Sequence, residues 1–327
     1  MTNKLQKIIS TFLIALAVAG GFEALLAIIN LNQPAVYWQT ASWLFLYLLA
    51  MIVFLFDLHF KKRGSWRRAR ARHRDTAPAF QRGARIVSSA LWDRFEHLRS
   101  WSYLRQWLHF LLLPGFIFWA TVSLFYSNNL ILLSSSRYWS TQQTILWLSA
   151  LALVGYYWYL KEIFYRRKEI VDSDIFVILT TIKIYAAAVL FAAALSMLRY
   201  NCLSPLYFSL EVLCYTFLLI YQALYQHRRI NQYTIAVTVI IAFLMGLIGQ
   251  LVYMYWGFDY FTAAIFMTAC YNLFWGVFHY RLDRALTKQA FLEILMISVL
   301  IAAMVISTTN FKARIGDGCD YRTGQVR

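Results

Sequence analysis

Apolar residues in this chain come in runs of about twenty, separated by polar gaps that are mostly short. A helix that crosses a bilayer needs about 20 mostly apolar residues. Nine segments reach that length: residues 8–30, 35–57, 107–126, 144–164, 175–197, 205–225, 234–256, 259–280 and 287–308. The third is the hardest to bound, because Leu130–Leu133 either extends it or lies in the interface beyond it. The two-residue alternation of an outer-membrane barrel strand is absent. Backbone groups at bilayer depth must pair within their own segment, so runs of this kind become helices. The pattern predicts an all-α, polytopic bundle of nine transmembrane helices.

Composition agrees. Of 327 residues, 61% are hydrophobic, 18% aromatic and only 14% charged, and mean hydropathy is +0.53. A soluble domain averages about 45–50% apolar and about 25% charged residues. Helix breakers are scarce, with 13 glycines and four prolines (Pro34, Pro78, Pro114 and Pro205). Pro114 falls inside the third span and should kink it. Ala186–Ala188, Ala192–Ala194, Gly20–Gly21 and Gly246 with Gly249 provide small surfaces for close helix approach.

Charge then orients the spans. The net formal charge is +16, and 24 of the 31 Lys and Arg residues fall before the first span or in, or at the very edge of, alternate gaps. These are the gaps after spans two, four, six and eight. Arg137, Arg199, Lys312, Arg314, Arg322 and Arg327 fall on the other side, and Lys183 within a span. The positive-inside rule places the N-terminus in the cytoplasm and the C-terminus outside. Tyr37, Trp38, Tyr138, Trp139, Tyr253, Tyr255, Trp256 and Tyr260 fall near the outer edges, where amphipathic rings favour the headgroup level. The small-residue pattern Ala15, Ala17, Ala19 resembles a signal-peptide cleavage site, but the apolar run continues well past it, which favours an uncleaved anchor.

The one sizeable polar region is a cytoplasmic insert, residues 60–106. Thirteen basic residues there against Asp75, Asp93 and Glu96 give +10. Lys61, Lys62, Arg63, Arg67, Arg68, Arg70 and Arg72 form a juxtamembrane cluster suited to anionic headgroups. Beyond it, Val87, Leu91, Phe95, Leu98 and Trp101 share a helical face opposite Ser89, Asp93, Glu96 and Ser100, the spacing of an interfacial amphipathic helix. Arg94 falls in the apolar stripe and would have to snorkel out of it. The plain alternative is that these charges only hold the loop inside during insertion. The insert is also a candidate surface for a protein partner, whereas Arg clustering alone is a weak footprint for nucleic acid. About 47 residues fall short of a soluble catalytic domain.

Ionisable residues inside spans are costly and so call for a reason. Glu23, Glu211 and Arg199 all fall toward the outer side and form a candidate ligand-binding site, provided that spans one, five and six are neighbours. Such a cluster suits a cation or the polar end of an amphiphile. Lys183 and Glu293 fall in the inner half, where snorkelling or a structural ion pair is the simpler account.

Motifs of known chemistry are missing. There is no Walker A loop, nucleotide glycine fingerprint, His-Glu-x-x-His or Gly-x-Ser-x-Gly, and no paired-aspartate motif of prenyltransferases. His279 and Asp283 match the end of the signature of membrane phosphatidic-acid phosphatases, but the rest of that signature is absent and no family resemblance follows. No metal, cofactor or catalytic residue is assigned, and an enzyme on a lipid-linked substrate is the least supported class. Cys202 and Cys319 both fall on the external side and form a possible disulfide that would pin the short tail, residues 311–327. Without such a tether that Gly-rich tail is expected to be poorly ordered. The chain reads as one transmembrane domain, residues 1–327, in a plasma (inner) membrane. Two functions are expected: a transporter or lipid-handling protein that binds an ionic or amphiphilic ligand, or a scaffold that holds lipid or a partner with its insert.

Overall fold

The computed structural model describes residues 2–31, 33–55, 101–132, 138–165, 173–201, 204–226, 229–257, 259–282, 286–309, 311, 319–320 and 325–326. The basic cluster Lys61–Arg72 and the amphipathic segment before Trp101 lie outside the described residues.

Each apolar run forms one helix. Among the described residues there are nine: α1 (Thr2–Asn30), α2 (Pro34–Leu55), α3 (Trp101–Leu132), α4 (Tyr138–Tyr165), α5 (Ser173–Asn201), α6 (Pro205–Gln226), α7 (Gln232–Tyr255), α8 (Tyr260–Leu282) and α9 (Lys288–Thr308). Seven of them, all but α2 and α4, are long and apolar enough to cross a membrane within their described residues. Gln142, Gln143 and the Tyr156–Tyr159 stretch dilute the apolar run of α4. The protein is an all-α, polytopic integral membrane protein. In the tail, a two-residue ladder pairs β1 (Cys319–Asp320) antiparallel with β2 (Gln325–Val326), and β2 touches α5.

Several helices overrun the predicted spans, among them α1, α4 and α5, whereas α9 begins one residue inside its span. The third is the clearest case, because α3 continues through Leu130 to Leu132 instead of stopping at the interface. Pro114 lies within it, buried, beside an apolar void of about 30 Å³ between α1, α2, α3 and α4.

At the centre is α5, packed against α3, α4, α6 and α8. Its alanines explain that position: Ala186, Ala187, Ala192, Ala193 and Ala194 are all buried and let neighbouring backbones come close. At the rim is α9, where only Ser298 and Val305 are buried, Ile294 and Ile301 are half-buried, and Leu292, Met296, Ile297, Val299, Leu300 and Met304 are exposed. That exposure suits lipid contact, because acyl chains are as apolar as leucine.

The most extensive helix pair is α6 with α7. A Cβ at Gly246 would come 3.1 Å from the Ser209 carbonyl oxygen, and one at Gly249 would come 3.2 Å from Phe208 and 3.3 Å from Val212. Ser209 Oγ also donates to the Gly246 carbonyl at 2.8 Å. Gly21 plays the same part against Leu44, whereas Gly20 faces open space and serves no packing.

Hydroxyls join the inner helices. Thr121 on α3, Ser149 on α4 and Tyr185 on α5 are chained at 2.7 Å per link, and Ser127 Oγ of α3 donates to Ser196 Oγ of α5 at 2.8 Å. The Tyr260 hydroxyl of α8 donates to Asn128 Oδ1 of α3. Several aromatics expected in the interfacial belt are core residues instead. Tyr37, Tyr253, Trp256 and Tyr260 are buried, and the Tyr37 hydroxyl donates to the Val122 carbonyl at 2.6 Å. Trp139 and Tyr255 are exposed as a belt requires.

Candidate ligand cavity between three helices

A cavity of about 520 Å³ lies between α3, α5 and α6. Small residues leave the space, with Gly115 on α3 and Ala193 and Ala194 on α5 among its lining. Larger apolar walls come from Leu111, Leu112, Phe116 and Trp119 of α3 and from Leu190 and Met197 of α5. Polar atoms are few: Ser123, Asn201, Tyr215 and the carboxylate of Glu211. This volume falls within the roughly 300–1,000 Å³ of small-molecule sites, and apolar walls with a few polar groups are their usual lining.

Glu211 owes its place to α6. Phe208, Val212 and Leu219 form the buried face of that helix, while Tyr207, Leu210 and Cys214 are exposed. Glu211 falls on the border, half-buried, and Tyr215 one turn on lines the same cavity. The Tyr215 ring in turn packs edge-on against Phe116 at 5.8 Å. Glu211 has no hydrogen-bond or ion-pair partner among the described residues. An intramembrane carboxylate that lines a cavity is a functional-site candidate by default, since burying it costs free energy that no described side chain offsets by hydrogen bond or ion pair.

Glu23 has different surroundings. Gln143 Nε2 of α4 donates to Glu23 Oε1 at 3.2 Å, and Glu23 is not among the cavity's lining residues. Next to it, Phe22 packs on Phe118 and Phe125 at 5.7 Å, whereas the cavity uses Phe116, Trp119 and Ser123 of the same helix. At 100° per residue those are different faces of α3. Arg199 falls on the last turn of α5, two residues before the lining Asn201, and its side chain lies outside the described residues.

Of the two inner charges, Lys183 departs from the snorkelling expectation and Glu293 does not. Lys183 is 5% exposed, so it is buried rather than snorkelling, and it has no partner among the described residues. Glu293 is exposed and accepts from Gln289 Nε2 at 2.9 Å, one turn away on the same helix. Asp259 accepts from the Phe261 amide at 2.9 Å and so caps the start of α8. Cys214 and Cys270 are free thiols; Cys202 lies outside the described residues, as does the side chain of Cys319.

Sequence reading did not find Trp119, Ser123, Asn201 or Tyr215. The Glu211–Tyr215 spacing of four was available as a signal, and so was the alanine-rich face of α5. Which helix would lie opposite them was not. Among the described residues no group of three or more His, Cys, Asp or Glu is placed to hold a metal ion. Comparison with family models, with curated proteins and with solved structures returns no match to this chain. The functional reading therefore rests on the chemistry of the cavity.

Proposed function

We propose that this membrane protein is of transporter or lipid-handling type and binds an amphiphile with a cationic head in the α3–α5–α6 cavity. The observation that carries the reading is the carboxylate of Glu211, without a hydrogen-bond or ion-pair partner among the described residues, in a largely apolar space of about 520 Å³. An ammonium head would gain that charge and the faces of Trp119, Phe116 and Tyr215, since cations bind over aromatic rings. The alkyl part would lie along Leu111, Leu112 and Leu190. Arg199, on the same last turn of α5 as Asn201, is proposed to extend the preference to zwitterionic heads. A plasma (inner) membrane is the location proposed with it, from the charge asymmetry of the loops.

The test is thermal stabilisation of the purified protein by single-chain amphiphiles of one length. Dodecyltrimethylammonium should raise the unfolding midpoint more than dodecyl sulfate does, and Glu211→Gln should abolish that difference while the variant still folds. Equal stabilisation of wild type and Glu211→Gln by the cation would reject the site.

A further inference from the structure

A second concavity, of about 350 Å³, lies between α7, α8 and α9. Its cause is the placement of α9, which packs on α8 while scarcely touching α7. The wedge left between them is walled by side chains such as Val237, Ile241, Phe274, Val277 and Leu295. Two lining residues bring polar atoms, Tyr233 at one end of the α7 wall and Arg281 in the last turn of α8. Tyr233 lies in the first turn of α7, Arg281 in the last turn of α8 and Phe291 in the first turn of α9, so all three mark the same end of the wedge. From Tyr233 to Ile241 the α7 wall is about 12 Å long at about 1.5 Å per residue.

That end is cationic. Arg281 is exposed, as are Lys288, which opens α9, and Arg229, just before the Asn231 cap of α7; none has an ion-pair partner among the described residues. The nearest described carboxylate on α9, Glu293, is bonded to Gln289 on the side of the helix away from Phe291 and Leu295. Asp283 and Arg284 lie outside the described residues. In a bilayer a wedge of this kind is filled by an acyl chain, and basic pockets between helices at the cytoplasmic side hold anionic lipid heads.

We infer that the α7–α8–α9 wedge is a binding site for one anionic glycerophospholipid, its chain along Val277 and Leu295 and its phosphate at Arg281. The site is separate from the Glu211 cavity and takes the opposite charge, so the two proposals stand or fall independently. It also differs from the basic cluster Lys61–Arg72, which has charge but no groove that the structure describes.

Native mass spectrometry of the delipidated full chain tests it, with phosphatidylglycerol and phosphatidylcholine of identical chains. Wild type should retain phosphatidylglycerol at least about fivefold better, the ratio expected for about 1 kcal/mol per cation near the head. Arg281→Gln should lower that ratio about fivefold. Leu295→Trp, which fills the wedge and leaves every charge in place, should lower retention of both lipids. Val277→Phe does the same from α8, should the first filling variant not fold. Glycerol phosphate, which has the head chemistry without a chain, should not compete. Unchanged phosphatidylglycerol retention in Arg281→Gln or in a folded wedge-filling variant would overturn the site and leave the basic insert as the lipid's holder. Competition by glycerol phosphate would overturn the acyl-chain part and leave a phosphate site.

Discussion

The two outer glutamates carry the same charge in similar helices, yet their neighbours give them different work. Glu23 accepts from Gln143, so its carboxylate is part of how α1 is held to α4. Gln143→Leu should therefore destabilise the protein by about 1 kcal/mol, the scale of interhelical hydrogen bonds in membranes with an added cost for the orphaned acceptor. Glu23→Leu/Gln143→Leu should recover much of that loss, because removing both partners leaves nothing unsatisfied. Unfolding in mixed micelles measures it, and simple additivity of the two single losses would mean the bond contributes nothing. Glu211 offers no such cycle, since it has no hydrogen-bond partner among the described residues. The sequence marks both residues as costly and says nothing about which one is paired. Gln143 is 120 positions from Glu23, and only the assembled bundle brings them together.

Nine apolar runs became nine helices because run length alone decides an element in lipid, where an unpaired backbone group is too costly to leave. Which surface an element turns inward is a finer matter. The pairs Gly20–Gly21 and Gly246–Gly249 look alike as small-residue motifs, but three of the four glycines sit in tight contact and Gly20 meets nothing. Gly249→Leu should cost about 1–3 kcal/mol by overpacking against Phe208, Val212 and Met267. Gly20→Ala should be neutral or stabilise by up to about 1 kcal/mol, through reduced chain entropy alone. Thermal midpoints of the two variants in one detergent separate these outcomes, and a Gly249→Leu variant as stable as wild type would show that α6 and α7 can part without penalty. The aromatic residues teach the same lesson. Tyr37 and Trp139 are equally plausible belt residues by position, but Tyr37 finds the Val122 carbonyl and is buried while Trp139 remains exposed.

For the molecule as a whole, the cavity and the wedge take opposite ends of the bundle only because of how the chain is threaded. The Glu211 cavity reaches Asn201 at the end of α5, whereas the Arg281 wedge opens where α8 ends and α9 begins. Those ends alternate along the chain, so whichever face holds the Asn201 end, the Arg281 end belongs to the other. The distribution of Lys and Arg, with 24 of 31 in the gaps on one side, assigns the Arg281 end to the cytoplasm. The cytoplasmic leaflet is the one rich in anionic lipid, so the lipid inferred at Arg281 is the one that leaflet supplies. On that assignment the Glu211 cavity belongs to the outer half, and the ligand proposed for it would arrive from the opposite side. Single cysteines in a background without native thiols test this threading by membrane-impermeant labelling of intact cells. Substitutions at Ser140 and Asp259 should label from outside, and those at Gln232 and Gln289 only after the membrane is opened. The reverse pattern would put the wedge in the leaflet poor in anionic lipid. It would also leave the strongly basic insert exposed outside, against the rule that orients every other gap.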